Sequence, residues 1–168
     1  MAKKPKAAEA KAAKSWEWKK GPGKLGPLAP LLGAWMSGAI ETPMGKMGCA
    51  RTFSPVGSGK SWVRLEAVWN LGAHGSYVEQ AIFGAKDDGK LGFWSFTSDG
   101  KRSEGTVAEA PDIHPKAIAF EAQMPAGLAR MAYWPDATEG FRFAVEARNK
   151  SGWKRFQEHH YKPVTPAK

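Results

Sequence analysis

The stretch LAPLLGAWMSG, residues 28–38, marks the point where the character of this chain changes. A short apolar turn, broken by proline, runs into Gly33 and Trp35. From Trp35 onward, short β-prone runs alternate with clusters of Gly, Pro, Asp and Ser, which is typical of strands joined by tight turns. Helical periodicity is nearly absent after this point. The stretch therefore predicts the entry into an all-β domain.

The β-prone runs follow one another closely along the chain. We count about ten of them between residues 34 and 162. Asp88-Gly89 and Asp99-Gly100 are the clearest hairpin signals, because glycine accepts the positive φ that a tight turn needs. Such a series predicts an antiparallel up-and-down meander, and closure into a barrel would remove its open edges. A β-sandwich is the alternative, although it more often needs longer crossing connections.

The N-terminal part of the chain has a different composition. Residues 1–24 carry eight lysines and two glutamates, so they supply most of the formal charge of +9. The segment GPGKLGP, residues 21–27, would break any helix. We therefore predict a disordered or partly helical Lys/Ala-rich tail over residues 1–24 and a barrel domain over residues 25–168. A basic tail of this kind could bind nucleic acid or an anionic surface.

Three features of the sequence bear on its compartment. Cys49 is the only cysteine, so no intrachain disulfide can form. The basic N-terminus is not followed by the apolar region of a secretory signal. No run of about 18 apolar residues indicates a membrane span. A cytoplasmic location is the resulting expectation.

The short apolar turn followed by Gly-x-Trp resembles the start of the lipocalin and wider calycin superfamily. The chain is most similar to small bacterial calycin-like domains of unknown function, which open with L-x-x-L-x-G-x-W and continue with W-x-L-G-G-x-Y-x-x-Q. The matching residues are Leu28, Leu31, Gly33, Trp35, Trp69, Leu71, Gly75, Tyr77 and Gln80. A short insertion around Ala73 and His74 departs from the pattern. The resemblance covers residues 25–163 and extends more distantly to nitrobindin-like and fatty-acid-binding barrels.

The resemblance implies a barrel with a central cavity for a small hydrophobic or amphipathic ligand. Residues 28–32 would plug one end of the barrel, Gly33 would allow a sharp entry into the first strand, and Trp35 would seal the floor. Binding of such a ligand is therefore the expected function. The alternative is a cofactor-free acid–base enzyme that uses the same cavity, for which Tyr77, Glu79, Arg64 and Tyr161 are the candidates.

Strand alternation selects the candidate ligand-binding residues. In the last strand, Arg155, Gln157, His159 and Tyr161 fall on one face, a set that suits a carboxylate or another polar head group. The alternative is that this face is solvated and that Phe156 points inward. Two earlier strands add further candidates, and sequence alone does not decide which face of each strand looks inward. These further candidates are Arg64, Tyr77, Glu79 and Gln80.

The histidines and the cysteine give no metal-binding pattern. Neither His-x-x-x-His nor Cys-x-x-Cys spacing occurs, so no structural metal is expected. Nitrobindin binds haem through a histidine shortly before its final tyrosine, and haem bound through His159 or His160 is therefore the one cofactor that the resemblance allows. The spacing to Tyr161 departs from that group. Cys49 is expected to be a small buried side chain within a strand.

Overall fold

A computed structural model of the protein describes residues 16–164. A 3₁₀ turn at Gly26–Leu31 precedes the first strand, and a second short turn lies at Gly72–His74. The strands are β1 (Gly33–Ser37), β2 (Ile40–Thr42), β3 (Gly45–Pro55), β4 (Trp62–Leu71), β5 (Ser76–Ala85), β6 (Leu91–Thr97), β7 (Arg102–Ala108), β8 (Ile118–Met124), β9 (Gly127–Pro135), β10 (Phe141–Asn149) and β11 (Gly152–Pro163).

The strands form a closed antiparallel barrel in which neighbours in sequence are neighbours in space. Strand β1 pairs with β11 on one side and with β3 on the other, which closes the sheet. Strands β1 and β2 lie one after the other along β3, so the barrel has ten strand positions. The predicted all-β up-and-down barrel is confirmed, and the sandwich alternative is excluded.

Alternation along each strand separates the barrel interior from its surface. On β4, Val63, Leu65 and Ala67 are buried inside the barrel, whereas Arg64 and Glu66 are exposed between them. This period of two is the one that a half-buried strand requires. The inward side chains of successive strands form one continuous hydrophobic core.

The stretch LAPLLGAWMSG, residues 28–38, closes one end of the barrel, as predicted. Leu28 and Leu31 are fully buried, and Gly33 adopts a φ of 123°, which favours glycine. The indole nitrogen of Trp35 donates a hydrogen bond of 2.7 Å to the carbonyl oxygen of Leu31. A buried indole N–H needs a hydrogen-bond acceptor, and the last residue of the turn provides it. The bond therefore joins the turn to the first strand. We call this end the floor.

Part of the predicted tail also lies against the floor. The ring of Trp16 packs edge-on to Trp35, with 5.3 Å between ring centroids, and its indole nitrogen donates to the carbonyl oxygen of Pro30. The indole nitrogen of Trp18 donates to the carbonyl oxygen of Lys116. Residues 1–15 of the predicted tail lie outside the described residues. Within residues 16–164, no helix has the length and hydropathy that a membrane crossing requires.

Candidate ligand-binding cavity

The barrel encloses a cavity of about 550 Å³ above the floor. It is lined by inward side chains of nearly every strand, and it reaches the end of the barrel where the β4–β5, β6–β7, β8–β9 and β10–β11 hairpins lie. We call this end the mouth. Much of the wall is apolar, with Trp69, Phe93, Phe120, Met131 and Phe143 among the lining residues. The volume is in the range that small-molecule sites occupy in proteins.

The inner end of the cavity is polar, and Arg51 is its centre. This side chain lines the cavity, yet only 1% of the residue is exposed. Its Nη1 donates a hydrogen bond of 2.9 Å to the hydroxyl oxygen of Tyr133 across the barrel. Its guanidinium carbon lies 4.2 Å from the ring centroid of Phe143 and 5.3 Å from that of Tyr161. The cation is therefore held by one hydroxyl and by aromatic rings.

No carboxylate is paired with Arg51 within residues 16–164. Glu79 is the one acidic side chain among those that line the cavity. The two residues stand in register across three strands with Ala67 between them, and no ion pair joins them. The charge of Glu79 acts on the guanidinium only at longer range. The guanidinium reaches to Tyr133 on β9 instead. The inner end of the cavity thus carries a buried positive charge that no carboxylate of residues 16–164 contacts directly.

Three polar atoms close to this charge have no hydrogen-bond partner within the described protein. They are Arg51 Nε, the hydroxyl oxygen of Tyr161 and His159 Nε2, and all three are buried. A buried polar atom without a partner costs about 1–3 kcal/mol, so native structures carry few of them. Three such atoms in one place mark a region whose polar groups the fold itself does not satisfy.

The groups that pack directly around the Arg51 guanidinium are uncharged, and Glu79 acts on it only as a charge at longer range. Burial, reinforced by the charge of Arg51, lowers the pKa of His159 below its ordinary value, so that the imidazole is neutral at pH 7. Burial raises the pKa of Tyr133 to about 12 and raises that of Tyr161 further above its ordinary value. Burial also raises the pKa of the Cys49 thiol. The neighbours of Arg51 are therefore uncharged hydroxyl, imidazole and thiol groups.

The structure brings five of the eight candidate residues to the cavity. Tyr77, Glu79, Gln157 and His159 line it, and Tyr161 is fully buried beside Arg51. The other three do not line it. Arg64 and Gln80 are exposed on the outer face of β4 and β5, where the amide nitrogen of Gln80 donates to Glu66. Arg155 also lies outside, for a separate reason.

A β-bulge in β11 separates Arg155 from the rest of its predicted face. Gln157 pairs with Val145 and Arg155 pairs with Glu146, so Phe156 is an extra residue in the ladder. Because one additional residue reverses the alternation, Arg155 turns outward and its Nε donates to Glu146 over 3.1 Å. The expectation that Arg155 shares a face with Gln157 was wrong. Phe156 instead lines the mouth, 64% exposed.

Arg51 and Tyr133 were missed by the sequence reasoning. A signal for Arg51 did exist, because Cys49, Arg51 and Phe53 alternate on one face of a strand whose other members are apolar. An arginine in such a series is either an edge residue or a buried charge with a function. Tyr133 gave no comparable signal, since it is one of two adjacent aromatic residues in β9 and sequence alone does not show which of them faces inward.

The residues present do not fit haem or a metal ion. The ring of His159 packs edge-on to Trp69, with 4.8 Å between centroids, and its Nε2 is buried beneath the cavity surface instead of open to an iron. His160 lies on the other side of β11, with its Nε2 2.6 Å from the carbonyl oxygen of Glu139. Over the described part of the chain, no group of three or more His, Cys, Asp or Glu side chains could hold a metal.

The sequence matches no known family profile and no curated protein. The site must therefore be interpreted from its own chemistry.

Proposed function

We propose that the protein binds a small amphipathic molecule inside the barrel, with its apolar part along the wall and its polar end near the floor. The observation that carries this proposal is a single cavity of about 550 Å³ in which an apolar wall adjoins a buried polar cluster around Arg51. The closed ten-strand barrel and the Trp35 floor support our further proposal that the chain is a calycin-like barrel. In that group such a cavity holds a ligand.

The size of the cavity supports a ligand over a packing defect. Protein interiors are close-packed, and voids larger than a water molecule are few. A cavity of this volume forfeits many dispersion contacts along its lining, and a core of Leu, Phe and Val could have filled it. A barrel that retains an open interior together with unsatisfied polar groups is better suited to binding than to mere stability.

The geometry favours binding over the acid–base enzyme. The four candidates for catalysis do not converge, because Arg64 is exposed outside the barrel and Tyr161 is buried next to Arg51. The hydroxyl of Tyr77 lies 3.5 Å from Asp99 near the mouth. General acid–base catalysis needs its groups within hydrogen-bond reach of one reacting position. Nucleic-acid binding by the basic tail and a cytoplasmic location stay predictions.

A fluorescence titration tests the proposal. N-phenyl-1-naphthylamine, a neutral apolar probe, should show a saturable increase in emission with one site per chain. Ala122, which lines the cavity, is changed to Trp so that the indole fills the space. Gln80→Trp adds the same indole on the outer face and is the matched control. We expect Ala122→Trp to abolish binding and Gln80→Trp to leave it unchanged.

Two results of this titration would contradict the proposal. A wild-type protein that gives no saturable signal, or an Ala122→Trp variant that folds and binds as well as Gln80→Trp, contradicts binding inside the barrel. Circular dichroism verifies the fold of each variant. If Ala122→Trp does not fold, Ala129→Trp fills the same cavity from the neighbouring strand and replaces it in the comparison.

A further inference from the structure

We propose that the cavity selects ligands with a carboxylate head group on an apolar body, and that they insert head first so that the carboxylate lies against Arg51. This inference rests on the proposed function, since it concerns the same cavity. It goes beyond that function in assigning the charge and chemical class of the head group and the residue that recognises it.

The buried cation of Arg51 is costly to the protein without a partner anion. A guanidinium is protonated at every physiological pH, so Arg51 cannot escape its burial by losing a proton. An ion moved out of water costs several kcal/mol unless it is paired. The hydroxyl of Tyr133 and the rings of Phe143 and Tyr161 offset part of this cost. None of these neighbours carries a negative charge. Binding of an anion next to Arg51 would therefore lower the electrostatic free energy of the site.

Polarity changes along the length of the cavity. Arg51 lies at its inner end, while aromatic and aliphatic side chains such as Phe120 and Met131 line the wall. Met124 and Phe156 lie close to hairpins at the mouth. A ligand whose anionic end meets Arg51 therefore places its apolar body along the wall. Low-dielectric walls also concentrate the field of the buried charge into the cavity.

A carboxylate matches the inner end of the cavity in charge and in hydrogen-bond donors. One guanidinium without a directly paired carboxylate corresponds to at most one negative charge, which favours a carboxylate over a dianionic phosphate. Arg51 and Tyr161 offer buried N–H and O–H donors without partners close to the place where the carboxylate would lie. Hydrogen bonds between a guanidinium and a carboxylate are charge-assisted and stronger than neutral ones. An ammonium head group would instead meet a like charge.

Glu79 provides an internal check on this assignment. It is the only acidic residue among the cavity-lining side chains, and it stands two strands from Arg51 on the same inward face. Its charge opposes the entry of an anion past the wall. Removing that charge should strengthen the binding of carboxylates and leave neutral ligands unaffected.

The test uses three ligands that differ only in the head group. Decanoate, 1-decanol and decylamine displace N-phenyl-1-naphthylamine from the full-length protein, and their affinities are compared at pH 7.5. We expect decanoate to bind at least about tenfold more tightly than decanol, as for a charge-assisted hydrogen bond, and decylamine to bind most weakly. Arg51→Met should weaken decanoate by about tenfold or more and leave decanol and the probe within about twofold. Arg64→Met, an exposed arginine outside the cavity, is the matched control.

The outcomes separate this inference from the proposed function. If the probe binds but decanoate and decanol compete equally, or if Arg51→Met keeps the preference for decanoate, the head-group assignment is overturned and cavity binding stands. If the probe does not bind at all, both proposals are overturned. Glu79→Gln serves if Arg51→Met does not fold: a gain in decanoate affinity of a few-fold, with decanol unchanged, supports the assignment, and no gain contradicts it.

Discussion

Two arginines of this barrel are buried to nearly the same degree, but in opposite surroundings. Arg51, inside the barrel, is 1% exposed, and Arg130, on the outer side of β9, is 4% exposed. Arg130 Nε donates to Glu146 over 2.5 Å, and its Nη1 donates to Asp112 over 3.1 Å. Arg51 has the hydroxyl of Tyr133 and no carboxylate within the described residues. The fold therefore neutralises one buried guanidinium and leaves the other open.

The origin of the difference lies in what covers each side chain. The connection between β7 and β8, residues 109–117, packs over the outer face of β8 to β10 and brings Asp112 to Arg130. A row of alanines, Ala119, Ala132 and Ala144, lies under this connection in register. The outer arginine thus ties a surface segment to the sheet. The inner arginine faces a cavity, and only a ligand could cover it in the same way.

The largest expected effect is the loss of stability when Arg130, the arginine paired with carboxylates, is replaced. Arg130→Met removes the main partner of Glu146, which is only 5% exposed. A buried carboxylate that loses its shortest ion pair is strongly destabilised, so we expect a loss of about 3 kcal/mol in the free energy of unfolding. Urea unfolding followed by circular dichroism measures it. Arg155 also contacts Glu146 and keeps the loss from being larger.

A double variant sharpens this result. Arg130→Met combined with Glu146→Leu removes both buried charges and leaves Asp112, which is largely exposed, to solvent. Replacement of a buried ion pair by apolar residues is often nearly neutral, so the double variant should recover most of the lost stability. A double variant as unstable as Arg130→Met alone would contradict a structural role that rests on this pair.

The inner arginine should behave in the opposite way. Arg51→Met removes a buried charge that has no charged partner, and a methionine side chain fills a similar path among aromatic rings. We expect the free energy of unfolding of the ligand-free protein to stay within about 1 kcal/mol of the wild type, or to rise. The same urea titration decides this. A loss as large as that of Arg130→Met would show that Arg51 serves the fold and not a ligand.

The contrast between these two arginines also shows what the sequence could predict. The barrel and its turn-linked strands follow from local patterns, since turns and alternation are encoded by neighbouring residues. The floor built by Leu28, Leu31 and Trp35 was implied by the resemblance to calycin-like barrels. The inward face of a strand is not encoded locally. It depends on the register of the whole barrel, and so the sequence could not assign Arg51 to the interior.

The prediction that Arg155 faces the same way as Gln157 was wrong for a related reason. Alternation predicts a shared face only while the ladder is regular, and the extra residue Phe156 reverses it. Within the stretch GWKRFQEHHYK, residues 152–162, neither a glycine nor a turn residue lies at or next to Phe156 to indicate the bulge. The partners of Arg155, Glu146 and Glu158, come from β10 and β11, and the outward contact with Glu146 appears only once the strands are paired.

The smallest expected effect, and the most local, is on the titration of His159. Burial and the charge of Arg51 lower its pKa, so its NMR titration midpoint should lie below the ordinary value of about 6.5. The unfolded chain then takes up this proton first as the pH falls, and the contribution of His159 to stability is lost below about pH 6.5.

Arg51→Met should raise the titration midpoint of His159 because it removes one cause of the lowered pKa, whereas Arg130→Met on the outer face should not move it. Equal midpoints in the wild type and Arg51→Met would show that the charge of Arg51 is already neutralised in the ligand-free protein, and the comparison between the two arginines would fail.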